Sequence, residues 1–315
     1  MTGELTLPAM EESTGESLEV AAAEAGRRLD LFLAERLRLS RGSARRLLAS
    51  GAVQIGGRTL AAADKGIALR AGERVVVSSA ARADAERIAA EPDAALCVLK
   101  SGPGWLAVDK PAGMPVHPLA AGERGTLLSA VAARHPEIQG IGEGGLRSGV
   151  VHRLDVDTSG AMLVATTTPQ WTRLRAAFSE HRVDKRYRAI ALGHLAADGE
   201  IELPLVIARH RPAFVRVAEA GDADARRTVT QWRVLERLRG ATLLEVRTVT
   251  GFLHQVRATL AHLGHPLAGD RRYAPESDAT GAARHMLHAA ELRFEEIAAS
   301  SPDPRDFADL ISALR

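Results

Sequence analysis

From residue 185 onward the chain is dominated by short segments in which apolar and polar residues alternate, and this alternation limits the possible fold more than any other feature. "KRYRAIALG" (185–193), "AFVRVAE" (213–219), "TVTQWRVLE" (228–236) and "ATLLEVRTVT" (241–250) read as strands, several with a period of two. "WLAVDKPAG" (105–113) is a strand running into a Pro-Gly turn, and "HMLHAAELRFEE" (285–296) a late strand. Helical patterns intervene singly. "PQWTRLRAAFSEH" (169–181) sets Trp171, Leu174 and Phe178 on one face, "LHQVRATLAHLG" (253–264) ends at Gly264, and "DPRDFADLISALR" closes the chain. Runs of strands broken by isolated helices predict an α+β domain rather than a regular βαβ repeat.

Ahead of this region the charge is unevenly spread. Residues 1–25 hold six Glu and no Lys or Arg, which predicts an acidic, disordered leader. Residues 26–79 hold eleven Lys or Arg against four Asp or Glu. Within them Leu29, Phe32, Leu33 and Leu37 recur at helical spacing, and Ser40 can cap a second helix through Leu47 and Leu48 that Gly51 ends. "AVQIGGRTL" then reads as a hairpin with a Gly-Gly turn, and "ERVVVS" as a closing strand. Arg41, Arg45 and Arg46 fall on the second helix, where guanidinium forks suit phosphates. Residues 80–94 read as a polar, Ala-rich linker, leaving 95–315 for the second domain.

At 46% hydrophobic and 25% charged residues the composition is that of a soluble globular protein. No apolar run approaches the ~20 residues of a membrane span, and no basic segment followed by an apolar stretch opens the chain. The single Cys97, inside "AALCVL", reads as core filler in a reducing compartment. A cytoplasmic, monomeric protein is expected.

"HRLDVDTSG" (152–160) puts an imidazole, a guanidinium and two carboxylates between apolar segments. Asp-Thr-Ser-Gly reads as a turn, which leaves two readings: a polar loop whose Asp157 and Ser159 bond their own backbone, or a hinge that presents a catalytic carboxylate. A metal-dependent phosphodiesterase would use Asp155 and Asp157 with the histidines of "HLGH" (262–265) or "HMLH" (285–288), although no His-Glu-x-x-His motif is present.

Three segments together resemble the RluA-like family of ribosomal large-subunit pseudouridine synthases: "HRLDVDTSG", "KRYRAIALG" and "TGFLHQVRATLAHLGHPLAGDRRYA" (250–274). "VDKPAGMPVHP" (108–118) and "HAAELRF" (288–294) match the entry and exit segments, so the resemblance spans roughly 95–298. It implies a mixed, largely antiparallel sheet with flanking helices and a central cleft. It also implies an isomerase acting on RNA without cofactor or metal. Asp155 would be its nucleophile and Arg257 the ion-pair partner of Asp155. Tyr187 would stack on the flipped uracil, its hydroxyl a candidate base for C5. Arg153 would contact RNA where the target nucleotide leaves the stack, and His152 would either contact RNA beside it or equally serve as a structural hydrogen-bond donor.

Residues 26–79 resemble the small S4 RNA-binding module through "RLDLFL", "SRGSARRLL", "GAVQI" and "AGERVVV". That adds Arg41, Arg45 and Arg46 as RNA contacts and favours ribosomal over transfer RNA. One departure is Phe252-Leu253, where the synthases commonly carry a polar pair, which bears on phosphate contacts and substrate preference. The remaining alternative is an S4-type RNA-binding protein without catalysis.

Overall fold

The computed structural model describes residues 15–315 apart from 38, 40, 80–86 and 211. The chain divides into two compact units. One takes the described residues up to Ala89 with Pro118–Glu123 and Gly144–Leu146, and the other takes the remainder.

In the first unit β1 (Gly15–Glu19), α1 (Leu29–Arg36), α2 (Arg41–Ala49), β2 (Val53–Ile55), β3 (Arg58–Thr59) and β4 (Arg74–Ser78) follow in order. The four strands form an antiparallel sheet in the order β1-β4-β2-β3. Leu29, Phe32, Leu33, Leu47, Leu48, Val53, Val75 and Val77 make one core with the two helices. Gly56 and Gly57 have φ of +57° and +79°, the pair of left-handed residues a two-residue hairpin turn demands.

The acidic leader is shorter than its charge implies. Gly15–Glu19 pairs with β4, burying Leu18 while Glu16 and Glu19 face solvent, and Val20 is buried just beyond. Both glutamates of this edge strand are exposed, so their like charges cost little. Residues 1–14 of the leader and the capping Ser40 lie outside the described residues. The linker is shorter too. Its residues 80–86 are not described, but Ile88 is buried, the Glu91 N–H donates to Ser129 O, and the Glu91 carboxylate accepts from the Gly125 N–H. The second unit thus begins near Ala90, not 95.

The second unit carries β5 (Cys97–Gly102), β6 (Trp105–Lys110), α3 (Leu127–Arg134), β7 (Ser159–Ala165), α4 (Thr168–Ser179), β8 (Asp184–Leu192) and β9 (Gly199–His210). Then come β10 (Ala213–Val217), β11 (Arg226–Leu238), β12 (Ala241–Thr248), α5 (Gln255–His262), β13 (Leu287–Phe294), β14 (Ile297–Ser300) and α6 (Arg305–Leu314). The sheet runs β10-β9-β11-β12-β8-β13-β7-β6-β5, with β14 on β13, and every pairing is antiparallel except β13 with β7. This is the mixed, largely antiparallel α+β architecture expected. Cys97, however, is exposed at the start of edge strand β5 rather than in the core.

Alternation along β8 sorts the helices onto opposite faces. Ile190 and Leu243 pack with Phe307, Leu310 and Ile311 of α6, whereas Ala189, Leu244 and Val246 pack with Val256 and Leu260 of α5. Tyr187 shares the α5 face. The parallel seam between β7 and β13 needs a glycine: Gly160 has φ +115°, and a Cβ there would lie 2.3 Å from Ala289 O. The residues just before Gly160 carry the candidate nucleophile.

Candidate active site

Asp155 lies in the tight turn that enters β7, closed by the Thr158 N–H bonding Asp155 O at 3.2 Å. Its neighbours hold the turn from behind. Lys110, fully buried, donates from Nζ to the carbonyls of Pro111, Met114 and Val156, each at 2.8 Å. Burial, with the Arg284 charge, pulls this ammonium down to about 8 against the pull of Asp157 and Asp155. Arg284 donates to Asp157 O, Thr158 Oγ1 pairs with His285 Nε2 at 2.8 Å, and Ser159 Oγ pairs with His288 Nδ1 at 3.0 Å. Ser159 therefore anchors to β13 and not to its own backbone. His288 Nε2 also meets Ser301 O, so the "HMLH" histidines serve the turn. Among the described residues no three His, Cys, Asp or Glu side chains are grouped as metal ligands.

Arg257, on α5, reaches across 102 positions of sequence to donate from Nη1 to Asp155 Oδ2 at 2.8 Å. The Asp155–Arg257 pair expected from the sequence is present. A third member was not expected: Asp270 accepts from Arg257 Nε at 2.7 Å and Nη2 at 2.8 Å. Burial works against charge on both Arg257 and Asp270. Their mutual bonds outweigh it, holding the carboxyl of Asp270 below its ordinary value and the guanidinium of Arg257 above its own. One arginine thus serves two carboxylates, a geometry its planar fork permits and a lysine would not. Asp155 Oδ1 accepts no hydrogen bond among the described residues.

These groups face a cleft of about 380 Å³. Arg153, Arg175, Lys185 and Arg257 line it, with Asp155 the only carboxylate among its described lining residues. A polyanion would enter it and meet one negative group. Tyr187 is on the wall, hydrogen-bonded to Thr248, and burial pushes its hydroxyl up to about 12. It therefore keeps its proton at neutral pH.

His152 also borders the cleft, but its ring stacks on Phe178 at 4.3 Å and its Nε2 accepts the Leu163 N–H at 2.9 Å. Burial, helped by Lys185 and Arg175, lowers it to about 3. The Nε2 side of the imidazole is thus committed to the sheet. Arg153 is exposed at the rim. Phe252 and Leu253 pack on the apolar cluster of Leu203, Leu205 and Val215, and the Phe252 N–H is taken by Gln255 Oε1. That wall is apolar where a polar pair was looked for.

Arg41, Arg45 and Arg46 lie on α2 of the other unit. Arg41 is exposed, Arg46 donates to Ser43 Oγ, and Arg45 joins Arg28 on the buried Asp30.

Asp270 escaped sequence reading because "AGDRRYA" looks like a turn, and His254 because a histidine before a helix looks like a cap. Both lie in the segment that carries Arg257, and that proximity was the available signal.

A family model for RNA pseudouridylate synthase matches residues 104–262, which include Asp155, Tyr187 and Arg257. A Xanthomonas campestris protein named ribosomal large subunit pseudouridine synthase D is 38% identical, the alignment covering 94% of this chain and 91% of that one. A protein of the same name from Vibrio parahaemolyticus is 33% identical over 94% and 93%. Among solved structures, human RNA pseudouridylate synthase domain containing 1 superposes with a TM-score of 0.57 at 25% identity, over 68% of this chain and 86% of that one. The match covers the buried ion pair and the cleft wall together, and with relatives aligned along nearly its whole length the chain belongs to the RNA pseudouridylate synthase family.

Proposed function

We propose that this RNA pseudouridine synthase isomerises uridine in large-subunit ribosomal RNA, with Asp155 as nucleophile. The observation that carries the reading is the Arg257 fork, which grips Asp270 with two nitrogens and commits only Asp155 Oδ2 with the third. Oδ1 is left as the oxygen that assists departure of uracil from the sugar. The released base turns within the cleft, C5 bonds to C1′ in place of N1, and as C5 gives up its proton N1 takes one up, so the change is an isomerisation that is redox-neutral. Tyr187 holds the base flat throughout; stacking on an aromatic ring contributes ~1–3 kcal/mol. Arg153 fills the gap left by the extruded nucleotide and offsets part of the few kcal/mol that extrusion costs.

The preference for ribosomal RNA rests on the names of the similar bacterial proteins and on the basic first unit. We read that unit as an S4-type RNA-binding module, with exposed Arg41 and Arg45 one turn apart on α2 and Arg46 further along the same helix. We read the enzyme as a monomer acting where ribosomes are made, in the cytoplasm. The test is pseudouridine mapping on RNA from cells lacking the protein, with purified Asp155→Asn as the inactive reference. A missing modification in transfer RNA alone would overturn the ribosomal assignment, and wild-type turnover by Asp155→Asn would overturn the nucleophile.

A further inference from the structure

His254 immediately precedes α5 with φ +51° and ψ +19°, in the left-handed region that a histidine enters at a cost. Its side chain is nearly buried, with Nε2 3.7 Å from Asp155 Oδ2. On the other side of the ring, Nδ1 lies 3.0 Å from Tyr273 Oη. Tyr273 in turn accepts the Val215 N–H at 2.9 Å and stacks on Phe214 at 5.1 Å. None of these groups has a part in the reaction outlined above.

The direction of this chain follows from its fixed end. A backbone N–H can only donate, so the Val215 amide occupies an acceptor site of Tyr273 Oη. Burial raises Tyr273 above its ordinary value, so the phenol keeps its proton at neutral pH, and among the described residues the acceptor that proton reaches is His254 Nδ1. With Nδ1 accepting, the proton of the neutral imidazole sits on Nε2, the nitrogen facing Asp155. Burial is the main cause of the neutrality, aided by Arg257 and Arg272 against Asp155 and Asp270, and it brings His254 down to about 4.

We propose that the Val215–Tyr273 chain fixes His254 in the Nε2–H tautomer, making it a positioning residue that supplies Asp155 Oδ2 with a second, uncharged donor beside Arg257. The proposal rests on Asp155 being the nucleophile. At 3.7 Å the contact is longer than a hydrogen bond. It closes when substrate draws Oδ1 forward and the carboxylate turns, so the donor acts on the reacting complex more than on the resting one. An uncharged donor orients Oδ2 without neutralising the nucleophile, which a second guanidinium in its place would do.

The substitutions at 254 separate reach from folding. Asparagine accepts the left-handed backbone more readily than histidine, but its amide nitrogen stands at the level of Nδ1 and falls short of Asp155. Glutamine places its amide nitrogen at the level of Nε2. His254→Asn is expected to fold and bind RNA as wild type while its single-turnover rate falls about tenfold or more, as for loss of a donor to a charged group. His254→Gln should recover part of that loss, and Tyr273→Phe should slow the wild type several-fold but leave His254→Asn unchanged.

The direct measurement is a nitrogen-15 spectrum of histidine-labelled full-length protein, in which His254 should show a protonated Nε2 and a bare Nδ1, and a mixed pattern in Tyr273→Phe. A protonated Nδ1 in the wild type overturns the proposal whatever the variants do. So does a wild-type rate in folded His254→Asn. Should Asp155→Asn keep its activity while the tautomer is as described, the nucleophile assignment has failed and not the ring orientation.

Discussion

Each unit of this molecule contains a cluster of arginine and buried aspartate, and the two are built with opposite polarity. In the first, Asp30 is fully buried and accepts from Arg28 and Arg45 at 3.0 Å, both arginines about half exposed. Burial alone would raise this carboxyl, but the two arginines outweigh it and hold it below 3.8. In the second, the arginine is hidden: Arg257 is 6% exposed, Asp270 completely buried, and Asp155 the member that meets solvent, at 18%. One cluster hides its anion and shows cations to the outside, as suits a surface for a polyanion. The other hides its cation and presents a carboxylate. Identical residue types present cations or a carboxylate to solvent according to which partner the fold covers.

The largest expected effect that sharpens this contrast comes from Asp155→Asn, which removes the presented charge and keeps its shape. Turnover on RNA should fall by about 10⁴-fold or more, as when a nucleophile is deleted, while RNA affinity is retained. Next is Asp270→Asn, which frees one side of the Arg257 fork. Misplacing the guanidinium should cost about 10²-fold in single-turnover rate, and Asp270→Ala should also lower stability by about 3 kcal/mol, measured by urea unfolding. By contrast, Asp30→Ala should lower the unfolding midpoint of the first unit and leave turnover at saturating RNA near wild type. If Asp30→Ala stops the chemistry at every RNA concentration, the two clusters are not separate devices.

Acid separates the units in another way. All eleven histidines lie at position 117 or later, and His152, His254 and His285 are each lowered by burial, to about 3, 4 and 4. The stability these neutral rings represent is complete above the ordinary value of 6.5 and declines as pH falls from there through about 4. Asp30, lowered from 3.8, contributes above that value and is lost only below it. The second unit should therefore loosen first on acidification, visible as earlier loss of amide protection in hydrogen exchange at pH 5. The smallest effect is that of Arg41→Ala on exposed α2, expected to reduce the salt slope of RNA binding by about one without touching the single-turnover rate.

Strands that announce themselves by alternation were legible in the sequence, as were the hairpin glycines and all the helices that carry site residues. β9 was not: Pro204 interrupts "EIELPLVIARH", although it sits opposite Arg227 within a paired ladder. β1 was hidden by its glutamates, and Cys97 was misplaced because an apolar run at a sheet edge looks like one at the centre. Within the site, Asp155 and Arg257 are paired across 102 residues, a distance no periodicity spans, and they could be joined only through the resemblance of their motifs. Asp270 and His254 take their meaning from that pair, and so became visible only with it.

Lys110 ties down the turn that carries Asp155. Its three ammonium protons are each committed to a carbonyl, two in the strand's own exit and one from Val156 beside Asp155. An internal cation so used works as a rivet, and a riveted turn does not adapt to its ligand. In the proposed reaction, shape adjustment then falls mainly to the nucleic acid. Choice among uridines becomes in part a question of which local RNA structures yield their base most cheaply, a mechanical property of the substrate that no inventory of the enzyme's contacts would display.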